Sequence, residues 1–365
     1  MVLELEVAGT HYEMGMQHAR QVRAQRPLIF RAMAARQSEL EQLGFDYAAR
    51  LQEAAAFMAS NGDATWQMMR GITDGLGLDW AAMQRYAFSS YLLDSHHTTT
   101  STLEGCTTFA ASAPATKDGA PLLAKNRDYR RDHIAMQTIT RAHPARGYRY
   151  LHLGSAGSPG VYSSGMNERG LAVADTYVPS LDLGPGLPRY ALMLDLLEGC
   201  ADVPAAIGCL RSVTHMGGGT LILADASGRL AICESSHRGS GYMTRDSGWL
   251  VSTNHFSMPE LRDRCLEKEQ PGNSQARRAY VEQALAAAVR QVDVGWIQAL
   301  LSHHDDGLAC ICRHERSDSD SATILAAIFL PRSRQLVLGD GNPCLAKWIS
   351  VMPTVSGWSS STRRA

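Results

Sequence analysis

Residues 96–112 read HHTTTSTLEGCTTFAAS and mark the point where the chain changes character. Upstream, residues 11–95 are rich in Ala, Met, Gln, Glu and Arg, and segments such as YAARLQEAAAFMA carry helical periodicity. Downstream, short apolar or alternating segments such as PLLAKNRDY and TLILADA are bounded by turn residues, which is typical of strands. We therefore predict a mostly helical segment up to residue 105, followed by a body built largely of strands.

Two longer segments inside this body interrupt the strand pattern. LPRYALMLDLLEGCADVPAAIGCLRSV and NSQARRAYVEQALAAAVRQVDVGWIQALLSHH both carry the periodicity of helices. Runs of strands separated by helix pairs favour an α+β fold, in which helices cover a mainly antiparallel sheet system.

The composition of the 365 residues excludes several classes of protein. The net charge is −1, and 45% of the residues are hydrophobic, which argues against a disordered chain and against nucleic-acid or membrane partners. The N-terminus MVLELEVAGTHYEMG has no secretory pattern, so we expect a cytoplasmic protein with reduced thiols. Eight scattered cysteines do not make a disulfide scaffold, and the question is whether one of them is a nucleophile.

Six short motifs follow one another in a fixed order over more than 300 residues. They are GTHYEMGMQHA (9–19), EGCTTF (104–109), AKNRDY (124–129), GMNERGLAV (165–173), STNHF (252–256) and ICRHE (311–315). Together they resemble the acyl-CoA:6-aminopenicillanic acid acyltransferase family, also called the isopenicillin N acyltransferase-like family. Its members are self-processing N-terminal-nucleophile (Ntn) hydrolases, and the choloylglycine hydrolases are similar at a greater distance.

The resemblance implies a fold and a domain organisation. The expected fold is an αββα four-layer sandwich, in which two antiparallel sheets lie between helical layers. Residues 1–105 would form a helical pro-segment that stays bound as a small subunit, and residues 106–365 the catalytic large subunit of one domain. The expected partner is thus the chain's own cleaved fragment, with further homo-oligomers left open.

Cys106 is the nucleophile that the resemblance implies. Its thiol would attack the carbonyl of Gly105, and water would then release a chain that begins at Cys106. Glycine before the cleaved bond allows backbone geometries that a Cβ would oppose. The freed α-amino group has a pKa of about 7.7–8.0 and can act as the base for its own thiol.

Three further residues match functional positions of the family. Asp128 would orient the amine and the thiol, and Asn254 would donate its side-chain amide to the oxyanion. Arg313 would pair with the aspartate and favour the thiolate. The simpler interpretations are a turn residue for Asp128, a strand end for Asn254 and a surface arginine for Arg313. His255 is expected to be structural, because it should face away from Asn254 along an extended chain.

Besides Ala124 in place of glycine, the AKNRDY motif departs from the Gly-Gln-Asn-Trp-Asp pattern of the family at two charged positions. Lys125 could supply a cation beside Cys106, and Arg127 replaces a large aromatic residue. If these side chains line the pocket, they would be substrate-binding residues for an anionic amide.

Two other interpretations compete with this one. The segment HHDDGLACICRH (303–314) holds three His and two Cys residues, but its spacing fits no common zinc motif, so we predict no metal ligand and no cofactor. An uncleaved relative that only binds or scaffolds also remains open. The favoured function is amide hydrolysis of a small N-acyl amide through a thioester on Cys106, and the alternative is acyl transfer to an amine of β-lactam or related type.

Overall fold

The computed structural model describes residues 2–96, 105–266, 272–304, 307–314 and 321–352. The helices of this part are α1 (His11–Gln21), α2 (Arg26–Gln42), α3 (Ala48–Asn61), α4 (Asp63–Leu76), α5 (Trp80–Ala87), α6 (Ser89–Ser95), α7 (Arg189–Gly199), α8 (Val203–Arg211), α9 (Asn273–Ala287) and α10 (Val294–Leu301). Its strands are β1 (Leu3–Gly9), β2 (Thr107–Ala111), β3 (Leu122–Arg130), β4 (Gln137–Pro144), β5 (Tyr150–Ser155), β6 (Ser164–Asn167), β7 (Ala172–Tyr177), β8 (Gly219–Ala224), β9 (Leu230–Ser236), β10 (Gly239–Arg245), β11 (Trp249–Ser252), β12 (Ser321–Leu330), β13 (Gln335–Asp340) and β14 (Trp348–Val351).

The strands form two sheets. One has eight strands in the order β1-β4-β5-β6-β7-β8-β9-β10, and the other has six in the order β11-β2-β3-β12-β13-β14. All the neighbouring pairs are antiparallel except β1 and β4, which run parallel. The prediction of two antiparallel sheets is confirmed apart from this one pair.

Three hydrophobic cores show that the sheets are stacked between helices. Between the sheets, Leu123 and Leu325 of the smaller sheet pack with Leu151 and Ile222 of the larger one. The outer face of the larger sheet is covered by α1, α2, α4, α5, α7 and α8. Helices α9 and α10 cover the outer face of the smaller sheet. The α+β, αββα architecture expected of an Ntn hydrolase is therefore confirmed.

The segment before residue 105 is not purely helical. Its first residues form β1, which joins the edge of the larger sheet, where Leu3 pairs with Thr138 and Gly9 with Pro144. In LELEVAG the inward Leu5 and Val7 are buried and the intervening glutamates are exposed, which is the alternation of an edge strand. Residues on both sides of the predicted cleavage point therefore share one sheet.

The first motif, GTHYEMGMQHA, has a structural role. Thr10 and Glu13 form a capping box at the start of α1. A Cβ on Gly15 would lie 2.3 Å from the carbonyl oxygen of Met68, so only glycine lets α1 approach α4 this closely. Among the described helices, none combines the length and apolar character that a membrane span needs.

Candidate active site

Cys106 directly precedes β2, which lies between β11 and β3 in the smaller sheet. The residue is only 7% exposed, and its Sγ lies 3.6 Å from the main-chain oxygen of Asp128. The antiparallel register pairs Thr107 with Asn126, so the start of β2 falls opposite the middle of β3. The sheet itself thus brings together the EGCTTF and AKNRDY motifs.

Gly105 lies in a narrow space between two charged side chains. A Cβ at this position would come within 2.9 Å of Asp128 Oδ2 and 3.1 Å of Arg313 Nη1. The backbone of Gly105 does not adopt a positive φ. A Cβ here would therefore force the side chain of Asp128 or the backbone to shift, whereas the φ of Gly105 gives no separate reason for glycine.

Asp128 is the buried carboxylate of the site. The hydroxyl of Thr323 donates to its Oδ1 at 2.6 Å, and its Oδ2 has no hydrogen-bond partner among the described residues. Burial raises the pKa of this carboxyl to about 6, against the opposing effect of Arg277, Thr323 and Arg313. A carboxylate with such a pKa can exchange a proton near neutral pH.

Arg313 reaches the site from the segment that precedes β12. Its main-chain nitrogen donates to Thr323 Oγ1 at 2.8 Å, and the nitrogen of Thr323 donates back to its oxygen at 2.9 Å. Its guanidinium lies beside Gly105 and contributes to lowering the pKa of Asp128. The structure therefore brings Gly105, Cys106, Asp128 and Arg313 together.

Arg277, on α9, is a site residue that the sequence analysis missed. Its Nη1 donates to the main-chain oxygen of Cys106 at 2.7 Å and to Thr107 Oγ1 at 2.8 Å. The side chain is fully buried. A signal was present in the sequence, because Arg277 lies four residues before Val281 and eight before Leu285, on the buried face of the helix.

Asn254 is joined to Cys106 through this arginine. Nη2 of Arg277 donates to Asn254 Oδ1 at 2.8 Å, while Asn254 Nδ2 donates to the main-chain oxygen of Tyr177 at 2.8 Å. These two bonds fix the amide with its donor side away from the arginine. The neighbouring His255 instead contacts Ser274, with its Nδ1 2.7 Å from the hydroxyl oxygen.

Lys125 lies on β3, but its ammonium is used inside the protein. Nζ donates to Asp175 Oδ1 at 2.7 Å, to the main-chain oxygen of Asp175 at 2.6 Å and to that of Ser163 at 3.1 Å. An ammonium has three N–H donors, so no donor is left for a ligand. Lys125 lines the cavity beside Cys106 but ties β3 of one sheet to β7 of the other, and its role as a substrate-binding residue stays a prediction.

Arg127 makes a similar connection between the sheets. Its Nη1 donates to Gln137 Oε1 at 2.8 Å and to the main-chain oxygen of Gly154 at 3.0 Å, and its Nη2 donates to Ser155 Oγ at 3.1 Å. These partners lie on β4 and β5 of the larger sheet. Both departures from the family pattern thus hold the two sheets together, which weakens the argument that they recognise an anion.

A cavity opens beside Cys106, and its wall combines tyrosine rings with charged side chains. The rings of Tyr162 and Tyr190 stack there, with centroids 4.4 Å apart. Residues of α5 and α6 line one side, so the segment before residue 105 supplies part of the wall. Six tyrosines line this cavity: Tyr86, Tyr91, Tyr129, Tyr162, Tyr177 and Tyr190.

The fold changes the premise on which residues 303–314 were predicted to hold no metal ligand. His304, Cys312 and His314 of that segment lie together with Cys344, and their ligand atoms are all within 4.8 Å of one another. The spacing within residues 303–314 contains only part of this cluster. It could not include Cys344, which the fold brings in from the loop between β13 and β14.

Comparisons with known proteins give one family match. The profile described as acyl-coenzyme A:6-aminopenicillanic acid acyl-transferase matches residues 115–344. No curated protein matches the chain. A variant of conjugated bile acid hydrolase from Clostridium perfringens is 15% identical, with a TM-score of 0.49 over 67% of this chain and 96% of its own. Penicillin V acylase from Agrobacterium tumefaciens is 15% identical, with a TM-score of 0.48 over 67% of this chain and 86% of its own.

The family profile covers well over half of the chain. The matched range contains Asp128, Asn254 and Arg313, while Cys106 lies just upstream of it. The chain therefore belongs to the acyl-coenzyme A:6-aminopenicillanic acid acyl-transferase family, an assignment that supports an enzyme of amidase or acyltransferase type.

Proposed function

We propose that this chain is a self-processing cysteine amidohydrolase, which cleaves itself between Gly105 and Cys106 and then hydrolyses a small N-acyl amide. The observation that carries the proposal is the confinement of Gly105 between Asp128 Oδ2 and Arg313 Nη1, directly before a buried cysteine. A scissile bond held between a carboxylate and a guanidinium has both a proton acceptor and a fixed positive charge at hand.

Self-cleavage begins with an attack of Cys106 Sγ on the carbonyl carbon of Gly105. The Gly105–Cys106 amide bond breaks, the nitrogen of Cys106 takes up a proton, and the acyl group moves to sulfur as a thioester. Water then hydrolyses the thioester and leaves a carboxylate on Gly105 and a free thiol on Cys106. Each step conserves atoms without a cofactor.

The proton of the Cys106 thiol needs an acceptor in the uncleaved chain. The nitrogen of Cys106 is still an amide at this stage and cannot serve as a base. Asp128 is the best placed group, because its Oδ2 faces Gly105 and its pKa is raised to about 6 by burial. The proposal therefore gives Asp128 a role before cleavage as well as after it.

After cleavage, the new α-amino group is the base for turnover. Its ordinary pKa is about 7.7–8.0, so it can accept the thiol proton near neutral pH. The thiolate attacks the substrate carbonyl, the amine product leaves, and water releases the acid from the thioester. Arg277 holds the Oδ1 of Asn254 and one N–H of its Nδ2 donates to Tyr177, so the second N–H of Nδ2 is the donor proposed for the oxyanion.

The cavity favours a substrate with an aromatic or planar apolar acyl group. Six tyrosine rings line it, and aromatic faces pack well against rings and flat apolar groups. The cations of Lys125 and Arg127 are engaged with the protein, so an anionic amide is the second choice. We further propose that residues 1–105 remain bound after cleavage, because they supply β1 and part of the cavity wall.

Acyl transfer to an amine is the alternative outcome of the same thioester. The family description names an acyl-transferase. The ratio of free acid to new amide depends on whether water or an amine reaches the acyl-enzyme first. Adding increasing concentrations of a small amine during turnover separates the two. Hydrolysis predicts mainly free acid at all concentrations, while acyl transfer predicts mainly the new amide.

Intact mass and N-terminal sequencing of the purified protein test the proposal. Cleavage predicts fragments of about 11 and about 28 kDa, the larger beginning CTTFAAS. Cys106→Ala should stay uncut and inactive, whereas Cys209→Ala, on the distant helix α8, should mature normally. A Cys106→Ala protein that is cleaved and active would refute the mechanism. A single uncut wild-type chain that no activated ester acylates would favour the non-enzymatic relative.

A further inference from the structure

Four metal-binding side chains meet on the side of the smaller sheet that carries Arg313. They come from three parts of the chain: His304 follows α10, Cys312 and His314 precede β12, and Cys344 lies between β13 and β14. None of them takes part in the cleavage chemistry described above. Cys312 is fully buried, and His314 and Cys344 are partly buried.

Two of the three distances among Cys312, His314 and Cys344 match a tetrahedral ligand set, and the third is slightly shorter. Sγ of Cys312 lies 3.5 Å from Sγ of Cys344, and Nε2 of His314 lies 3.1 Å from Cys344 Sγ and 3.7 Å from Cys312 Sγ. A tetrahedral zinc ion with Zn–S bonds of about 2.3 Å and Zn–N bonds of about 2.0–2.1 Å separates its ligand atoms by about 3.3–3.8 Å. All four ligand atoms lie within 4.8 Å of one another.

The donor set also selects the type of ion. Two thiolates and two neutral imidazoles suit zinc, whereas calcium and magnesium require oxygen ligands. His304 Nδ1 lies 3.1 Å from the main-chain oxygen of Ser302. In the tautomer that donates this hydrogen bond, Nε2 carries a lone pair for a metal, the usual arrangement of metal-binding histidines. Four protein ligands complete the coordination, so such an ion would be structural.

We propose that His304, Cys312, His314 and Cys344 form a structural zinc site that fixes the segment carrying Arg313. Arg313 lies between two of the ligands in sequence. Cys312 and His314 place their ligand atoms in the cluster, while Nη1 of Arg313 between them lies beside Gly105.

The hydrogen bonds around Arg313 continue from the cluster into the active site. Asn342 Nδ2 donates to the main-chain oxygen of Arg313 at 2.7 Å. The nitrogen of Arg313 donates to Thr323, and Thr323 donates in turn to Asp128. Arg313 and Thr323 both act on the pKa of Asp128, so a metal that fixes this segment would also fix the protonation of that carboxyl. This coupling rests on the proposed function, whereas metal binding does not.

Metal analysis of the full-length chain, purified without chelators or metal affinity, tests the site itself. We expect about one zinc per chain. Cobalt(II) exchanged into the site should show thiolate-to-cobalt charge transfer and the intense visible bands of tetrahedral coordination. Cys344→Ser and His314→Gln should each reduce the bound zinc at least about tenfold. Cys310→Ser is the matched control, because Cys310 lies beside the cluster but outside it, and should retain the ion.

Two results would overturn the zinc site. One is a folded wild-type chain that binds no zinc or cobalt when either is supplied in excess. The other is an intact mass that shows a Cys312–Cys344 disulfide in the natural protein, which would make the cluster a redox pair. Because both measurements use the wild-type chain, they hold even if a variant fails to fold.

The pH profile of self-cleavage tests the coupling to the active site. In Cys344→Ser, a loosened Arg313 should move the acidic limb of the profile to higher pH, since less positive charge then opposes the protonation of Asp128. If Cys344→Ser only lowers stability, the acidic limb should stay at the pH of the wild-type chain. Loss of zinc without a shift of the limb would overturn the coupling to the active site but not the zinc site itself. A wild-type chain that binds zinc yet never cleaves itself would instead count against the proposed function.

Discussion

Nη1 of Arg277 donates a 2.7 Å hydrogen bond to the main-chain oxygen of Cys106. Arg277 lies on α9, which covers the outer face of the smaller sheet. The same guanidinium holds Oδ1 of Asn254 through Nη2. One buried cation therefore sets the position of the nucleophile's backbone and the orientation of the amide proposed for the oxyanion. A bidentate fork is needed for this task, and lysine cannot supply it.

Replacing Arg277 by lysine should keep the charge but lose the fork. We expect self-cleavage and turnover to fall by about 10²–10³-fold, since Asn254 and the carbonyl of Cys106 would lose their common donor. Arg278→Lys is the matched control, because Arg278 is the next residue and its side chain forms a helical ion pair with Glu282. Timed gels and product assays give both rates. Cleavage of Arg277→Lys at the wild-type rate would exclude this role.

Adding a methyl group at Gly105 should obstruct self-cleavage. The new Cβ would lie 2.9 Å from Asp128 Oδ2, so the carboxylate or the backbone has to move away from the scissile bond. We expect Gly105→Ala to cleave at least about tenfold more slowly, which corresponds to about 1.4 kcal/mol in the barrier. Gly199→Ala has open space around its new Cβ and should cleave normally. Equal rates for both variants would contradict the steric argument.

The rate of self-cleavage should depend on the protonation of Asp128. Burial raises the pKa of this carboxyl to about 6, and only the carboxylate can take the thiol proton. The rate should therefore rise as the pH increases through about 6. Asp128→Asn should cleave about 10²–10⁴-fold more slowly, and its rate should no longer rise as the pH increases through about 6. An unchanged profile in Asp128→Asn would assign the base to another group.

The same raised pKa predicts a pH dependence of stability. The folded chain holds the Asp128 proton more tightly than the unfolded chain, whose aspartate has a pKa of 3.8. This contribution is fully present below about pH 4 and is lost as the pH rises through about 6, with a total of about 3 kcal/mol. In Asp128→Asn, the free energy of unfolding measured with denaturant should not fall by this amount between about pH 4 and about pH 6. If both proteins lose the same free energy over this range, the dependence comes from other groups.

The sequence was sufficient for residues whose roles depend on local order. Cys106, Asp128 and Arg313 lie in short motifs, and the fold brings all three to Gly105. The helices and strands followed from periodicity, because Leu, Val and Ile at spacing two or four have to be buried on one face, whereas the four-layer arrangement was implied by the family resemblance. Arg277 lies in no motif, and only its alignment with the apolar face of α9 could have identified it.

The sequence failed where a role depends on a distant partner. Lys125 looked available for a ligand, because its motif shows the positive charge of its side chain but not the carboxylate that compensates this charge. Asp175 follows fifty residues later, on the other sheet. The cluster of possible metal ligands was missed for the same reason, since strands β12 and β13 separate Cys344 in sequence from the other three residues. Pairings across a sheet interface depend on topology, which local patterns do not contain.

The last prediction separates a structural Lys125 from a substrate-binding one. Lys125→Met should lower the free energy of unfolding by about 3–5 kcal/mol, because it removes the Lys125 ammonium from the largely buried Asp175 and leaves the ion pair with Arg189. The double variant Lys125→Met/Asp175→Asn should recover part of this loss. Lys117→Met is the control, since its exposed pair with Asp293 should contribute no more than about 1 kcal/mol.

Kinetics with matched substrates completes this test of Lys125. The ammonium has no donor left for a ligand, so Lys125→Met should change KM for a carboxylated amide and for its neutral analogue by the same factor. Denaturant unfolding measured on the same preparations shows whether stability falls. If KM rises tenfold for the carboxylated amide alone while stability is unchanged, Lys125 contacts the substrate directly. An anionic substrate would then again be favoured over the aromatic one that the tyrosine-lined cavity suggests.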